Sequence, residues 1–267
     1  LSVSLLLPKS VWSQIKVACI GNSITYGAKV IDKEINRYST LWGNKLGPDY
    51  EVGNYGRSGR TLLKNGDKPY WREVLYTQVK MWQPDIVTIM LGTNDSKPFN
   101  WDLFGNEFKG DLEDMISELD ALPSSPIIFL CLPPAVNPTT TMPINADNVQ
   151  NETIPIILEV AAEQNLPVID VHTPFLSRFD LMPDGVHTEN EGQKLMGDLF
   201  YEQIKNHISK PKVPTRVLWY GSAPGDLGDP TAYKPTLLNR NSAQETGVLM
   251  FAPRGKHPNL KWTLPHT

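Results

Sequence analysis

An α/β fold of three layers, with a five-stranded parallel sheet covered on both faces by helices, is predicted by three observations. Five apolar runs of strand length, rich in Val and Ile and bounded by Gly, Pro or Asn, fall at 16–20, 50–53, 85–91, 126–131 and 167–171. Helical patterns, with apolar residues at three- and four-residue spacing, occupy 39–47, 70–82, 103–121, 147–164 and 189–208. The two kinds of segment alternate, and near-continuous apolar strands belong to a sheet buried on both faces.

In chain order, residues 1–7 are short and apolar and are followed by Val11-Trp12-Ser13-Gln14, where small residues suit signal-peptidase cleavage. Residues 1–13 therefore read as the tail end of a secretory signal peptide, with a short docking strand as the alternative. That reading predicts a periplasmic or secreted protein. The first strand runs into Gly-Asn-Ser at 21–23, the second into Asn-Tyr-Gly-Arg-Ser-Gly at 54–59 and the third into Gly-Thr-Asn-Asp at 92–95. A fourth polar motif, Asp-Gly-Val-His at 184–187, precedes the last helical pattern. In an open parallel sheet, crossovers are right-handed and the binding crevice lies beyond the carboxyl ends of the strands, where strand order reverses. Three strand-end loops and one helix-start loop thus converge on one edge. A main domain at 14–209 is expected, followed by a Pro-rich linker and C-terminal extension at 210–267, since eight of the 23 prolines fall in that last segment.

Composition narrows the partners. A net charge of −4 offers no basic field for a phosphate backbone or an anionic membrane surface, and no run approaches the ~20 apolar residues of a membrane span. The two cysteines, Cys19 and Cys131, lie in apolar strand-like runs and read as small core residues, a disulfide between neighbouring strands being the alternative. No zinc-ligand spacing and no glycine-rich nucleotide fingerprint follows a strand, so no metal or cofactor is expected. A monomer acting on a small-molecule or oligosaccharide ester is the default expectation.

The four motifs contain what ester hydrolysis needs. A serine hydroxyl becomes nucleophilic when an imidazole takes its proton, and the imidazole needs its other nitrogen held by an acceptor. Asp184 and His187 lie one short turn apart, close enough for the carboxylate to orient the ring towards Ser23. The Ser23 amide, the Gly59 amide and the Asn94 side chain are the donors for a developing oxyanion. Each residue also has a plainer reading. Gly-Asn-Ser after a strand is ordinary helix-cap chemistry, Asn54 and Gly59 suit a tight loop, and Asp95 reads as a cap or loop brace. His172 follows the fifth strand and reads as a hydrogen-bonded structural histidine; His207 suits the end of a helix dipole; Ser58 has no base nearby.

Together, in this order, the blocks resemble those of the SGNH hydrolases, also called the GDSL esterase/lipase superfamily, over about residues 15–208. The resemblance implies a flavodoxin-like sheet, a triad of Ser23, His187 and Asp184, and an oxyanion hole of Ser23, Gly59 and Asn94. The first block departs from the usual spelling, since Asn22 stands where that family commonly has aspartate. Asparagine keeps a side-chain acceptor and drops the charge. In the last segment, residues 217–228 and 246–253 resemble the opening of an α/β-hydrolase-type carbohydrate esterase domain, without a Gly-x-Ser-x-Gly elbow. With the expected export and Phe99, Trp101 and Phe104 in the loop after Asn94, this favours O-acetyl carbohydrate, acetylxylan or a similar glycan, as substrate. A lysophospholipase or short-chain lipase is the alternative enzyme, and a catalytically silent carbohydrate-binding protein the alternative from another class.

Overall fold

A computed structural model describes residues 14–205, 207–208, 233–237, 248–253 and 260–263; residues 1–13 and the linker after 210 lie outside these. The chain divides into two compact units, Leu1–Pro214 and Thr215–Thr267. In the first, β1 (Ile15–Gly21) leads into the single turn α1 (Ser23–Tyr26), then α2 (Lys33–Asn36), α3 (Tyr38–Leu46) and β2 (Tyr50–Gly56). α4 (Val74–Trp82) precedes β3 (Ile86–Met90), and α5 (Pro98–Phe104) and α6 (Phe108–Asp120) precede β4 (Ile127–Leu132). α7 (Ala146–Asn148) passes through a π-helical turn at Val149–Thr153 into α8 (Ile154–Glu163). β5 (Val168–Asp170), α9 (His172–Phe175) and α10 (Asn190–Ile204) complete the unit.

All five strands pair in parallel in the order β2-β1-β3-β4-β5, as the alternating apolar runs predict. The period-two pleat splits each central strand between two cores. Ala18, Ile20, Val87, Ile89, Ile128 and Leu130 face one layer, with α4, α6 and α8 above them. Val17, Cys19, Ile86, Met90, Phe129 and Cys131 face the other, against α3 and α10. Phe200 of α10 packs on Tyr38 and Trp42 of α3 with ring centroids 4.6 and 5.2 Å apart, all three fully buried. Each such side chain contributes about 1.5–3 kcal/mol by leaving water. Both cysteines are free and buried.

Three local differences from the sequence expectation have physical causes. The aromatic residues expected in a loop after Asn94 lie on a helix, because Pro98 at its first turn presets the helical φ and loses no needed donor. Of these, only Phe99 is open to solvent, at 52% exposure, whereas Trp101 and Phe104 pack on the core. The pattern at 70–82 is a short 3₁₀ turn (Tyr70–Arg72) followed by α4, broken by the extended backbone of Glu73. The second unit, to which the sequence assigns no elements, forms an antiparallel sheet β6-β7-β8 (Tyr233–Leu237, Val248–Pro253, Leu260–Thr263). No helix among the described residues is long and apolar enough to cross a membrane.

Gly56 closes β2 where α1 crosses it. A Cβ there would stand 2.3 Å from the Tyr26 backbone nitrogen and 2.6 Å from the Thr25 carbonyl carbon. Neither backbone atom can yield without displacing the turn that carries Ser23. Gly110, early in α6, has nothing within 4 Å of its Cβ position. Gly56→Ala is expected to destabilise by about 3 kcal/mol or more. Gly110→Ala should stabilise by up to about 1 kcal/mol. Urea unfolding midpoints of the two variants check both signs.

Candidate active site

β1 ends at the point where strand order reverses, with β2 on one side and β3 on the other, so the residue following it enters the crevice. That residue pair is Asn22-Ser23. Asn22 caps α1 by accepting from the Ile24 amide at 2.9 Å, which turns Ser23 into the first helical position at 7% exposure. Asn54 of the second block reinforces the turn from β2, its side-chain amide donating to the Thr25 carbonyl at 2.6 Å and to Ser39 Oγ at 2.8 Å.

Opposite Ser23, the loop before α10 presents His187. Its Nε2 lies 2.7 Å from Ser23 Oγ, and its Nδ1 lies 2.8 Å from Asp184 Oδ2. The other carboxylate oxygen of Asp184 accepts from the backbone amides of Val186 and His187 at 3.0 and 2.7 Å. Burial pushes the Asp184 carboxyl up, but the amide and ring hydrogen bonds of His187 and the amide of Val186 outweigh it and hold the group below its ordinary value. It is therefore charged at neutral pH. Gly185 between them sits at φ +77°, and a Cβ there would meet Thr140 Cβ at 2.8 Å. Only glycine lets the loop turn tightly enough for Asp184 and His187 to face each other.

The second and third blocks meet beside this line. Asn94, 6% exposed, donates through Nδ2 to the Arg60 carbonyl at 3.2 Å, and its own carbonyl accepts from Asn100 Nδ2 at 3.0 Å. Gly59, at φ +81°, precedes Arg60, and the Arg57 amide donates to the Gly21 carbonyl at 3.0 Å. The loop holding Gly59 is thereby tied to both β1 and the Asn94 loop. No hydrogen bond joins Ser23 directly to Gly59 or Asn94 among the described residues.

Asp95 is fully buried and is a brace, as the plainer sequence reading has it. Its Oδ1 accepts from the Leu63 amide at 2.7 Å and its Oδ2 from the Gly92 amide at 3.1 Å, joining the loops after β2 and β3. Burial raises its carboxyl to about 6 against the lowering effect of backbone amides of Leu63, Leu62, Asp95 and Gly92. His172 lies outside the Ser23 line, with Nδ1 3.3 Å from the Pro133 carbonyl, and burial lowers its pKa. His207 sets its ring edge-on to Phe129 at 5.6 Å.

Gln193 escapes sequence reading altogether. From α10 it accepts from the Tyr38 amide at 2.7 Å and donates to the Ile24 carbonyl at 3.2 Å and Thr188 Oγ1 at 2.6 Å. It locks the Ser23 turn to the residue after His187. A glutamine on a mostly polar helical pattern carries no signal for that.

Comparison with known proteins follows from this geometry. A model of the GDSL-like lipase/acylhydrolase family matches residues 19–195. An acetylxylan esterase of Xylanibacter ruminicola is 40% identical over 210 residues, 72% of this chain and 43% of that protein. A multidomain esterase of Ruminococcus flavefaciens is 26% identical over 251 residues, 82% of this chain and 32% of that protein. The chain thus spans less than half the length of the curated relatives it matches. The crystal structure of the lipase/acylhydrolase from Enterococcus faecalis superposes with a TM-score of 0.59 at 26% identity, over 73% of this chain and 97% of that one. With the family match spanning every one of the four blocks, the chain belongs to the GDSL-like lipase/acylhydrolase family.

Proposed function

We propose that this chain is a serine esterase that removes O-acetyl groups from carbohydrate, acetylxylan or a similar glycan, through an acyl-enzyme on Ser23. The observation that carries the reading is the unbroken hydrogen-bonded line from Ser23 Oγ through His187 to Asp184, at 2.7 and 2.8 Å. His187 Nε2 takes the Ser23 proton as Oγ attacks the acetyl carbonyl, and Asp184 stabilises the imidazolium that forms. The carbonyl oxygen becomes an oxyanion that receives hydrogen bonds from the Ser23 and Gly59 amides and Asn94 Nδ2. Collapse of the tetrahedral intermediate breaks the bond to the sugar oxygen, which leaves with the proton from His187. Water, deprotonated by His187, then attacks the acetyl-enzyme, releasing acetate and returning the proton to Ser23.

The acetyl and carbohydrate part of the reading is supported by the acetylxylan esterase relative at 40% identity. Export, read from the apolar residues 1–7, belongs to the same proposal. Asp95 serves by holding the Gly59 and Asn94 loops in register without touching substrate.

Acetate release from acetylated xylo-oligosaccharides by wild type and Ser23→Ala tests the proposal. Wild type should release acetate and Ser23→Ala should not; persistent release by the variant would show that another residue is the nucleophile. Asp184→Asn should lower kcat by about 10³–10⁴-fold through the wrong imidazole tautomer, and Asn94→Ala by about 10²–10³-fold. Rates on aryl esters that rise beyond acetate with acyl length would favour the lipase reading instead.

Asp95 gives a pH signature in stability. Its folded pKa of about 6 exceeds the ordinary 3.8, so the folded state holds this proton more tightly than the unfolded chain. The contribution is present in full below about 4 and is lost as pH rises through about 6, a span of about 3 kcal/mol. Asp184 acts oppositely, its contribution being present above the ordinary carboxylate value and lost as pH falls through its lowered one. Asp95→Asn lacks the first term, so the stability difference between it and wild type should shrink from pH 4 to pH 7 in urea melts. A difference independent of pH would mean that Asp95 titrates normally.

A further inference from the structure

The loop leaving β2 brings more cations than carboxylates to the edge of the proposed oxyanion site, on a chain whose net charge is −4. Three of the cations in and beside it are matched. Lys64 pairs with Asp111 at 3.5 Å. Arg60 donates through Nε to Glu73 at 2.6 Å, and Lys97 lies 3.1 Å from Asp67. Lys68 has no ion pair among the described residues, and Arg57 has only a long one. A Cβ built on Gly59 would meet only Lys68 atoms within 4 Å among the described residues, Cδ at 3.5 Å and Nζ at 3.9 Å. The Lys68 side chain is exposed and has no carboxylate within ion-pair distance among the described residues. The side chain of Arg57 is 54% exposed and reaches Glu73, already engaged by Arg60, only at 3.9 Å.

Both cations are carried on backbone that is held in place. The Arg57 amide is bound to the Gly21 carbonyl, two residues before Ser23. The turn carrying Lys68 is pinned on both sides: Thr61 N donates to the Lys68 carbonyl at 3.0 Å, and Asp67 N donates to Asn100 Oδ1 at 2.9 Å. Asn100 in turn holds the Asn94 carbonyl. The exposed Lys68 ammonium thus stands beside Gly59, its charge felt by Asp67 but forming no ion pair among the described residues.

We propose that Lys68, assisted by Arg57, recognises a carboxylate on the alcohol portion of the substrate, so that the enzyme prefers acetyl esters of acidic, uronate-bearing glycans to those of neutral ones. The inference rests on the esterase reading above. A cation that served only to stabilise the oxyanion would accelerate neutral and acidic esters alike, whereas a carboxylate subsite changes their ratio. Its effect should also weaken with salt, because the pair is solvent-accessible.

The test measures kcat/KM for acetate release from acetylated xylo-oligosaccharides bearing a uronic acid side group, and from the same oligosaccharides without it. Wild type, Lys68→Gln, Arg57→Gln and Lys45→Gln are compared at about 0.02 and 0.5 M salt. Lys45 pairs with Asp198 and stands at the end of α3 that precedes β2, at the opposite edge of the sheet, so its variant removes the same net charge elsewhere. Wild type should favour the acidic substrate about three- to tenfold at low salt, with the preference falling towards one at high salt. Lys68→Gln should lose most of the preference, Arg57→Gln part of it, and Lys45→Gln none. A wild-type ratio near one, or a ratio that Lys68→Gln leaves intact, overturns the carboxylate subsite while leaving the esterase standing. Absence of acetate from both substrates removes both readings together.

Discussion

Everything in the first unit serves one contact between residues 164 positions apart, the 2.7 Å approach of His187 Nε2 to Ser23 Oγ. Closing so long a loop costs chain entropy that no single hydrogen bond offsets, so the partners must be delivered by structure already formed. The strand order does half of this. Because β1 is flanked by β2 and β3, the chain leaves it at the only place in the sheet where successive connections diverge, and Ser23 enters an open crevice. The helical layer does the other half. α10, which follows His187, packs through Phe200 onto Tyr38 and Trp42 of α3, the helix that carries the chain from β1 to β2. Gln193 converts this apolar packing into register, since its amide engages the backbone of Ile24 and Tyr38 and the hydroxyl of Thr188 at once. Hydrophobic area brings the two layers together, and three directional bonds set their alignment.

The same division of labour recurs at the donor side of the site. Gly59 and Gly92 have φ of +81° and +111°, a backbone that other residues adopt only under strain, and each lies in one of the polar blocks. At Gly92 a Cβ would also meet Thr153 Cγ2 at 2.6 Å, because the π-helical turn at Val149–Thr153 carries Thr153 up to the backbone there. Two loops bent this way would wander without a common anchor. Asp95 is that anchor, a carboxylate taken out of water and surrounded by amides from both loops. Its desolvation is unfavourable by itself. The compensation is that the loops cannot drift apart without exposing amides that have no other acceptor.

The strands and the four blocks were legible in the sequence because each rests on local chemistry. Ile86–Met90 is buried at every position, so it stands out as an apolar run broken only by Thr88, and Gly-Thr-Asn-Asp ends it with residues that cannot continue a strand. His187 and Asp184 are legible as a pair because only two residues separate them. What escapes is everything that depends on long-range packing. Pro98 starts a helix whose apolar face is set by Phe108, so Trp101 turns inward, although its neighbours in sequence suggest an exposed aromatic loop. Thr153 of the π turn lies against Gly92, 61 residues earlier, and Gln193 binds two backbone segments more than 150 residues away. None of these has a local signature. In the second unit the strands are short and flanked by prolines, and the period-two signal in Tyr233–Leu237 is interrupted by Pro235.

The neutral side chain at Asn22 fits the electrostatics of such a site. Its Oδ1 caps α1, and its Nδ2 is buried without a partner among the described residues, at a cost of about 1–3 kcal/mol. An aspartate in the same place would keep the cap but bury a second oxygen and a full charge beside the serine, where the reaction creates negative charge twice. An unpaired buried carboxylate costs more than an unpaired amide. With asparagine, the negative groups of the site are Asp184, separated from Ser23 by the imidazole, and Asp95, enclosed by amide donors. Asp184 is then the one carboxylate on the hydrogen-bonded line from Ser23 among the described residues. In the proposed mechanism that polarity, acceptor behind the base and donors ahead of the nucleophile, favours proton transfer to His187 and charge on the ester oxygen together.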